Sequence, residues 1–320
     1  MKSDKYIGVD IGGTSIKIGF MSREGDFLAK WQIPMPKNVS GERVLSTIWD
    51  SIKDQMIKEK MNIEQFQAIG VGSAGFVDPK SGVVKQSVNI GWKNFPIKEI
   101  FERLTKLPVV VDNDANIAAL GEIWKGAATG ERDIVMITLG TGVGGGIIVD
   151  GKIVSGHSGT AGEIGHIIVD PDGDLCNCGR RGCLETIVSA TGIRNLALKI
   201  AKLYPNSLIA DYFNQKGDIS ATNVFAFAKE GDQASNEVID KVADILGRTI
   251  ANISAIINPS KVLLGGGVSN AGDQLRLAVE NKFNQYALQR VKESCKIEIA
   301  QLKNDAGIIG AVYLARTMVP

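Results

Sequence analysis

Between Glu163 and Glu185 the chain gathers one histidine, three cysteines and two carboxylates, as Glu163-Ile-Gly-His166 and then Cys176-Asn-Cys178-Gly-Arg-Arg-Gly-Cys183-Leu-Glu185. His166, Cys176, Cys178 and Cys183 offer one nitrogen and three sulfurs, the ligand set of a closed, four-coordinate structural zinc. Soft thiolates favour Zn²⁺ over magnesium or calcium. A disulfide or a patch of core are the competing readings. Against them, only Cys295 lies elsewhere, no apolar leader precedes Tyr6, and the window is rich in Gly and Arg. A reduced, cytoplasmic chain is expected. Cys295, in the strand-like Cys-Lys-Ile-Glu-Ile, reads as an inert buried thiol.

A second kind of chemistry sits in three glycine clusters. Asp10-Ile-Gly12-Gly13-Thr14 places an acid at a strand end, two residues without β-carbons and a hydroxyl. Backbone amides and Thr14 can approach phosphate oxygens there, Asp10 can hold Mg²⁺ through water, and Lys17 is counted with the same group. A plain hairpin turn is the alternative. Gly140, Gly142 and Gly145 match G-x-G-x-x-G, but a strand-like run follows instead of a helix. The match therefore reads as a second phosphate-contacting hairpin, with Thr138 and Thr141 as hydroxyl donors, and not as a dinucleotide fingerprint. Gly265-Gly266-Gly267 follows the strand Lys-Val-Leu-Leu and suits a backbone surface beneath an adenosine.

Val-Val-Val-Asp112-Asn113-Asp114-Ala-Asn116 ends a buried strand with polar residues and opens a helix. Asp114 is read either as that helix's N-cap or as a general base taking the proton of an acceptor hydroxyl during phosphoryl transfer. Asn113 can orient the acceptor.

Positioning these residues requires an α/β scaffold. The 320 residues, 44% hydrophobic, predict about two domains. With 36 basic and 35 acidic residues spread evenly, neither a nucleic-acid stripe nor a polybasic membrane anchor is expected, and no run is apolar enough to span a bilayer. Residues 5–10 with 14–20, and 133–139 with 145–154, read as two hairpins with glycine-rich turns, suggesting two related halves. Strands are expected at 67–72, 108–112 and 261–264. Val44, Leu45, Ile48, Ile52 and Met56 mark one helix face; Val238, Val242, Ile245, Leu246, Ile250, Ile253 and Ile257 mark another. The helix from Asp114 is expected to carry the chain between domains. Residues 203–223, with Pro205, Asn206, Gly217 and Asp218, are expected to be an irregular, mobile connection.

Asp-Ile-Gly-Gly-Thr, Asp-Asn-Asp-Ala-Asn, Leu-Gly-Thr-Gly-Val-Gly-Gly-Gly, Glu-Ile-Gly-His and Cys-x-Cys-Gly-x-x-Gly-Cys-Leu-Glu together resemble the ROK family of sugar kinases and sugar-responsive repressors, over essentially the whole chain. The likeness is greatest to its Gram-positive glucokinase branch, notably through Asn-Ile-Gly-Trp, Val-Asp-Asn-Asp-Ala-Asn-Ile-Ala-Ala-Leu-Gly-Glu and the cysteine loop. It implies an actin-like (ribonuclease H-like) two-domain fold with an interdomain cleft. Residues 1–115 plus about 304–320 would form the smaller domain and 116–303 the larger. It implies ATP and Mg²⁺ as reaction partners, structural Zn²⁺, and a homodimer or tetramer. The expected reaction is phosphorylation of a hexose 6-hydroxyl, glucose first, with N-acetylmannosamine, fructose or mannose as alternatives and polyphosphate as an alternative donor. By motif, Asp114 corresponds to the base, and Gly75, Asn113, Glu163, His166 and Glu185 to the sugar site, with Asn89 reaching in from the other domain. His166 would place one ring nitrogen on zinc and offer the other to the sugar. A non-catalytic sugar sensor is the reading from another class; the family's repressors carry a DNA-binding domain before the first glycine turn, and only nine residues precede Asp10. One departure from the family pattern is visible: Gly72-Ser73-Ala74-Gly75 stands where Gly-x-Pro-Gly is usual, which removes a fixed φ near the sugar loop.

Overall fold

Alternating apolar residues on either side of Gly-Gly-Thr fold as the expected hairpin. β1 (Lys5–Ile11) and β2 (Ser15–Ser22) pair antiparallel, with Asp10 opposite Lys17, and β3 (Phe27–Pro34) extends the hairpin. The computed structural model describes residues 4–87 and 90–319. α1 (Gly41–Lys58) follows, capped by Ser40, which accepts from the Arg43 amide, and buries Val44, Leu45, Ile48, Ile52 and Met56 as its spacing predicts. β4 (Phe66–Ser73) joins β1 in parallel. A small sheet of β5 (Phe76–Asp78), β6 (Val83–Ser87) and β7 (Trp92–Pro96) and the helix α2 (Ile97–Thr105) lead to β8 (Val109–Asn113). The first large sheet has the order β3-β2-β1-β4-β8.

α3 (Asp114–Lys125) carries the chain to a second sheet. Its strands are β9 (Ile134–Leu139), β10 (Val143–Val149), β11 (Lys152–Ile153), β12 (Lys261–Gly265) and β13 (Lys296–Ile299), in the order β11-β10-β9-β12-β13. Here too an antiparallel edge precedes parallel pairs. The repeat read from two glycine-rich turns is thus a repeat of sheet topology.

The second hairpin departs from expectation in one respect. Its second strand begins at Val143 and not at Gly145, so Gly144 is a strand residue and only Gly140 to Gly142 form the turn. The reason is close packing: a β-carbon on Gly144 would lie 2.7 Å from Thr138 Oγ1 and 3.1 Å from Cβ of Ala115 in α3.

α4 (Glu185–Val188), α5 (Ala190–Ala201), α6 (Leu208–Lys216), α7 (Ala221–Lys229), α8 (Gln233–Ile257), α9 (Asp273–Tyr286) and α10 (Gln289–Ser294) supply the rest of the second core. Val238, Val242, Leu246, Ile250 and Ile253 of α8 are buried there with Val135 and Ile137; Ile245 and Ile257 are partly exposed. The irregular connection expected over 203–223 is corrected: it contains α6 and the start of α7. Ser207 and Ser220 are N-caps, Gly217 ends α6 with φ 75°, and Ile209, Ala210 and Ile219 are buried. The polar and glycine residues that suggested a loop are the punctuation of two short helices.

α11 (Ala306–Met318) returns to the first sheet, burying Ile308, Ile309 and Val312 against Tyr6, Met21 and Ala68. It also crosses α3 with the backbones in contact, because Gly310 lies against the Ile117 carbonyl where no side chain fits. Among the described residues no helix is long and apolar enough to cross a membrane.

Candidate active site

The two readings of Asp114 are separated at the junction of β8 and α3. Asn113 is the N-cap: its Oδ1 accepts from the amides of Ala115 (2.8 Å) and Asn116 (3.3 Å), and its Nδ2 donates to the Gly75 carbonyl (2.9 Å). Asp114 accepts from the Ala115 amide through one oxygen at 2.9 Å. Below it, the buried Asp112 accepts from the Asn113 amide (2.7 Å) and from Asn116 Nδ2 (2.8 Å), bracing the turn. Asp112 and Asn116 have no role in the sequence reading; their i, i+4 spacing on either side of the helix start is the available signal.

Asp114 is half-buried at the surface yet closely surrounded by protein. Burial, and then the nearby charge of Asp10, push its carboxyl up from 3.8 to about 6. Burial also raises Asp10, against the opposing pull of Lys17, whose Nζ is 3.5 Å from Asp10 Oδ2. Glu163 is raised by burial and then by the charges of Asp114 and Glu185. The carboxylates of β1, α3, the turn before His166 and α4 thus form a chain of neighbours, Asp10 acting on Asp114 and both Asp114 and Glu185 acting on Glu163. Alone, such a like-charge group is unfavourable; hydroxyl donors and a cation would satisfy it.

The cysteine loop abuts these carboxylates. The ligand atoms of His166, Cys176, Cys178 and Cys183 all lie within 4.8 Å of one another. His166 Nδ1 is 3.7 Å from Cys176 Sγ, and the Cys178 and Cys183 sulfurs are 3.6 Å apart. A tetrahedral metal with bonds of about 2.3 Å to sulfur has edges of about 3.8 Å, so this donor set fits one. Since Nδ1 faces the sulfurs, Nε2 lies on the other side of the ring, 4.0 Å from Glu163 Oε2. Arg180 holds the His166 carbonyl at 2.9 Å. Glu185 joins the loop to the second hairpin: Oε1 is 3.6 Å from Cys176 Sγ, and Oε2 accepts from the Val143 amide at 2.9 Å. Gly142 is needed beside it because the Glu185 carboxylate occupies the place of a β-carbon. No side-chain pattern marked the Val143 amide.

The glycine turns lie at the carboxyl ends of the central strands. Gly12 N–H bonds the Ser15 carbonyl (3.1 Å), closing a turn in which Gly13 and Thr14 are exposed. Gly140 N–H bonds the Gly142 carbonyl (2.9 Å), with Thr141 exposed. Thr138 pairs across the sheet with both Gly144 and Gly265, so the segment Gly265 to Gly267 leaves β12 beside the second hairpin. On the other side, Gly75 has φ 110°, and the Ala74 amide donates to the Ile11 carbonyl at 3.3 Å. Asn89 lies outside the described residues, and Cys295 is buried far along the chain beside Ser254.

Two sheets of like topology, crossed by α3 and α11 and carrying acids and glycine turns at their strand ends, define the two-domain actin-like ATPase fold. A family model described as the ROK family matches residues 6–318, and the chain belongs to that family. It is 45% identical to a glucokinase of Halalkalibacterium halodurans, covering 97% of this chain and 94% of that protein. It is 35% identical to a glucokinase of Thermotoga maritima, covering 98% of each. Among solved structures, a ROK family glucokinase from Streptomyces griseus in complex with glucose and AMPPNP superposes with a TM-score of 0.82 at 34% identity, covering 98% of this chain and 99% of that one.

Proposed function

We propose that this chain is an ATP-dependent hexose kinase that transfers the γ-phosphoryl group to the 6-hydroxyl, with glucose its first substrate. The observation that carries this reading is the state of Asp114: capping is delegated to Asn113, the carboxyl is raised to about 6, and Asp10 lies close enough to perturb it. A base with that value is ionised at neutral pH and still accepts a proton readily.

In the proposed reaction Asp114 accepts the 6-hydroxyl proton as the sugar oxygen attacks the γ-phosphorus, and ADP leaves. Glu163, Glu185, Nε2 of His166 and the side-chain amide of Asn113 hold the other hydroxyls. Buried groups of this kind reject sugars that leave one of them unpaired. The amides of the Gly12–Thr14 and Gly140–Gly142 turns, with Thr14, Thr138, Thr141 and Lys17, face the phosphates, and Gly265 to Gly267 lie under the nucleoside. Asp10 would hold Mg²⁺, which neutralises phosphate charge. His166, Cys176, Cys178 and Cys183 would hold Zn²⁺, which would keep the imidazole oriented with Nε2 toward the sugar. Residues 1–115 with about 304–320, and 116–303, are the two bodies proposed to enclose the substrates.

The test is ADP release from MgATP with glucose, fructose, mannose, N-acetylmannosamine and N-acetylglucosamine supplied one at a time. The highest kcat/KM is expected for glucose. Turnover with none of them, despite measurable sugar binding, would refute the kinase assignment.

A further inference from the structure

One fully buried carboxylate has no part in this mechanism. Glu122, in the penultimate turn of α3, is 0% exposed. Its Oε2 accepts from the amides of Ala127 (2.8 Å) and Gln301 (3.1 Å), and its Oε1 from the amide of Leu302 (2.8 Å). The neighbouring Gly126 leaves it room, since a β-carbon there would overlap Oε2. Burying a carboxylate is costly unless its lone pairs are satisfied, and here backbone amides from two separate segments satisfy them.

We infer that Glu122 is a positioning residue that fixes the segment from Gln301 to Gly307 beneath Asp10, and so sets Asp10 in register with Asp114. The segment runs from the end of β13 into the start of α11 and meets Asp10 once directly and once through Lys17. Asn304 Oδ1 is 3.5 Å from Lys17 Nζ, the cation beside Asp10, and Gly307 packs so closely on the Asp10 carboxylate that a β-carbon would lie 2.5 Å from its Cγ. Lys30 ties the same segment to β3 through Asp305, at 2.8 and 2.9 Å. The helix bearing Glu122 begins at Asp114. One rigid element thereby places the proposed base directly and the proposed Mg²⁺ ligand through its support.

The inference rests on the kinase reading, and its test separates the two. Glu122→Gln keeps the shape but turns an amide donor toward a backbone donor, so at least one of the three amides loses its acceptor. Its KM for MgATP is expected to rise roughly tenfold and its Mg²⁺ requirement to shift upward, with the glucose KM changed by less than about twofold. Leu246→Ala, in the second core, serves as a variant of comparable instability and should show no such split. Equal changes in both KM values, or a pattern matching Leu246→Ala, would overturn the inference. If Glu122→Gln does not fold, the exposed Asn304→Ala carries the test: a smaller rise confined to MgATP supports it, and an unchanged MgATP KM overturns it. A wild-type chain with no sugar-dependent ADP release refutes the kinase reading separately. Hydrogen exchange at Gln301 and Leu302 then reads the clamp alone, slow if Glu122 holds them and fast if it does not.

Discussion

The two hairpins occupy equivalent places in two sheets of the same order, yet they are furnished differently. In the first, Asp10 stands opposite Lys17 and beside Gly72. In the second, the matching positions hold Thr138, Gly144 and Gly265. The backbone is repeated while the charge is not. Each turn offers amides to an anion, which costs no side-chain identity and survives duplication. A carboxylate is different: a second one beside the phosphates would repel them, whereas one is enough to recruit a cation. The comparison teaches that the repeat supplies two cradles, and on the proposed function both would meet phosphate oxygens while only the first would also hold the metal.

In the proposed reaction both cradles would serve Asp114, so the largest effect is expected there. Asp114→Asn keeps the hydrogen bond to Ala115 but cannot accept the proton, and kcat should fall by at least about 10³-fold with the glucose Kd little changed. In the wild type, kcat/KM should drop tenfold per pH unit below about 6, the value to which burial and then Asp10 raise this carboxyl. The same shift fixes a stability effect. Between the ordinary value of 3.8 and about 6 the folded chain binds the proton and the unfolded chain does not. Stability from this group therefore rises as pH falls through that window, and above it the ionised carboxylate is a cost of roughly 1–3 kcal/mol. Asp114→Asn should remove the cost and raise Tm by a few degrees at pH 7.5. A variant that is both active and less stable would contradict the assignment.

The asymmetry of the hairpins is tested by mirror substitutions. Asp10→Asn should lower kcat/KM about 10²-fold and raise the Mg²⁺ concentration needed for half activity, while Thr138→Val should cost only several-fold and leave the Mg²⁺ dependence unchanged. Equal losses, or a Mg²⁺ shift in Thr138→Val, would mean that the halves share the work evenly. Next in size, Cys176→Ser should lose zinc by elemental analysis and weaken glucose binding roughly 10- to 100-fold, since His166 and Glu185 both lean on that sulfur. Full zinc content in the variant would show that the ligand set is wrong.

Much of this was legible in the sequence because it depends on periodicity and on residue types that do little else. The hairpins, the helix faces and the Cys/His window belong to that class. What escaped depends on distances between segments far apart in the chain. Asn113 was read only as a sugar contact; that it also caps α3 and holds Gly75 escaped, because a cap is decided by which side chain the chain entry brings to the first amides. Gly144 was placed in the turn because glycine marks close approach and turns alike; the approach is to Thr138 of β9 and Ala115 of α3. Glu122 was visible only as the last letter of a motif. Its partners at Gln301 and Leu302 are amides, which carry no side-chain signature.

The smallest effect is expected where this chain departs from its family's pattern. Ala74 replaces the usual proline, and lost stiffness in the sugar loop would be the natural consequence. The structure shows a substitute restraint: the Ala74 amide, a donor that proline lacks, bonds the Ile11 carbonyl at 3.3 Å, and Asn113 holds the next carbonyl, that of Gly75. Ala74→Pro would exchange a long hydrogen bond for a fixed φ. The first is worth about 0.5–1.5 kcal/mol, and the second returns about 0.4–1 kcal/mol through the unfolded chain. Stability and the glucose KM should therefore stay within about twofold of wild type by denaturation and steady-state kinetics. A large gain in sugar affinity would instead show that the hydrogen bond leaves the loop loose, and that the fixed φ supplies an order which Ile11 and Asn113 do not.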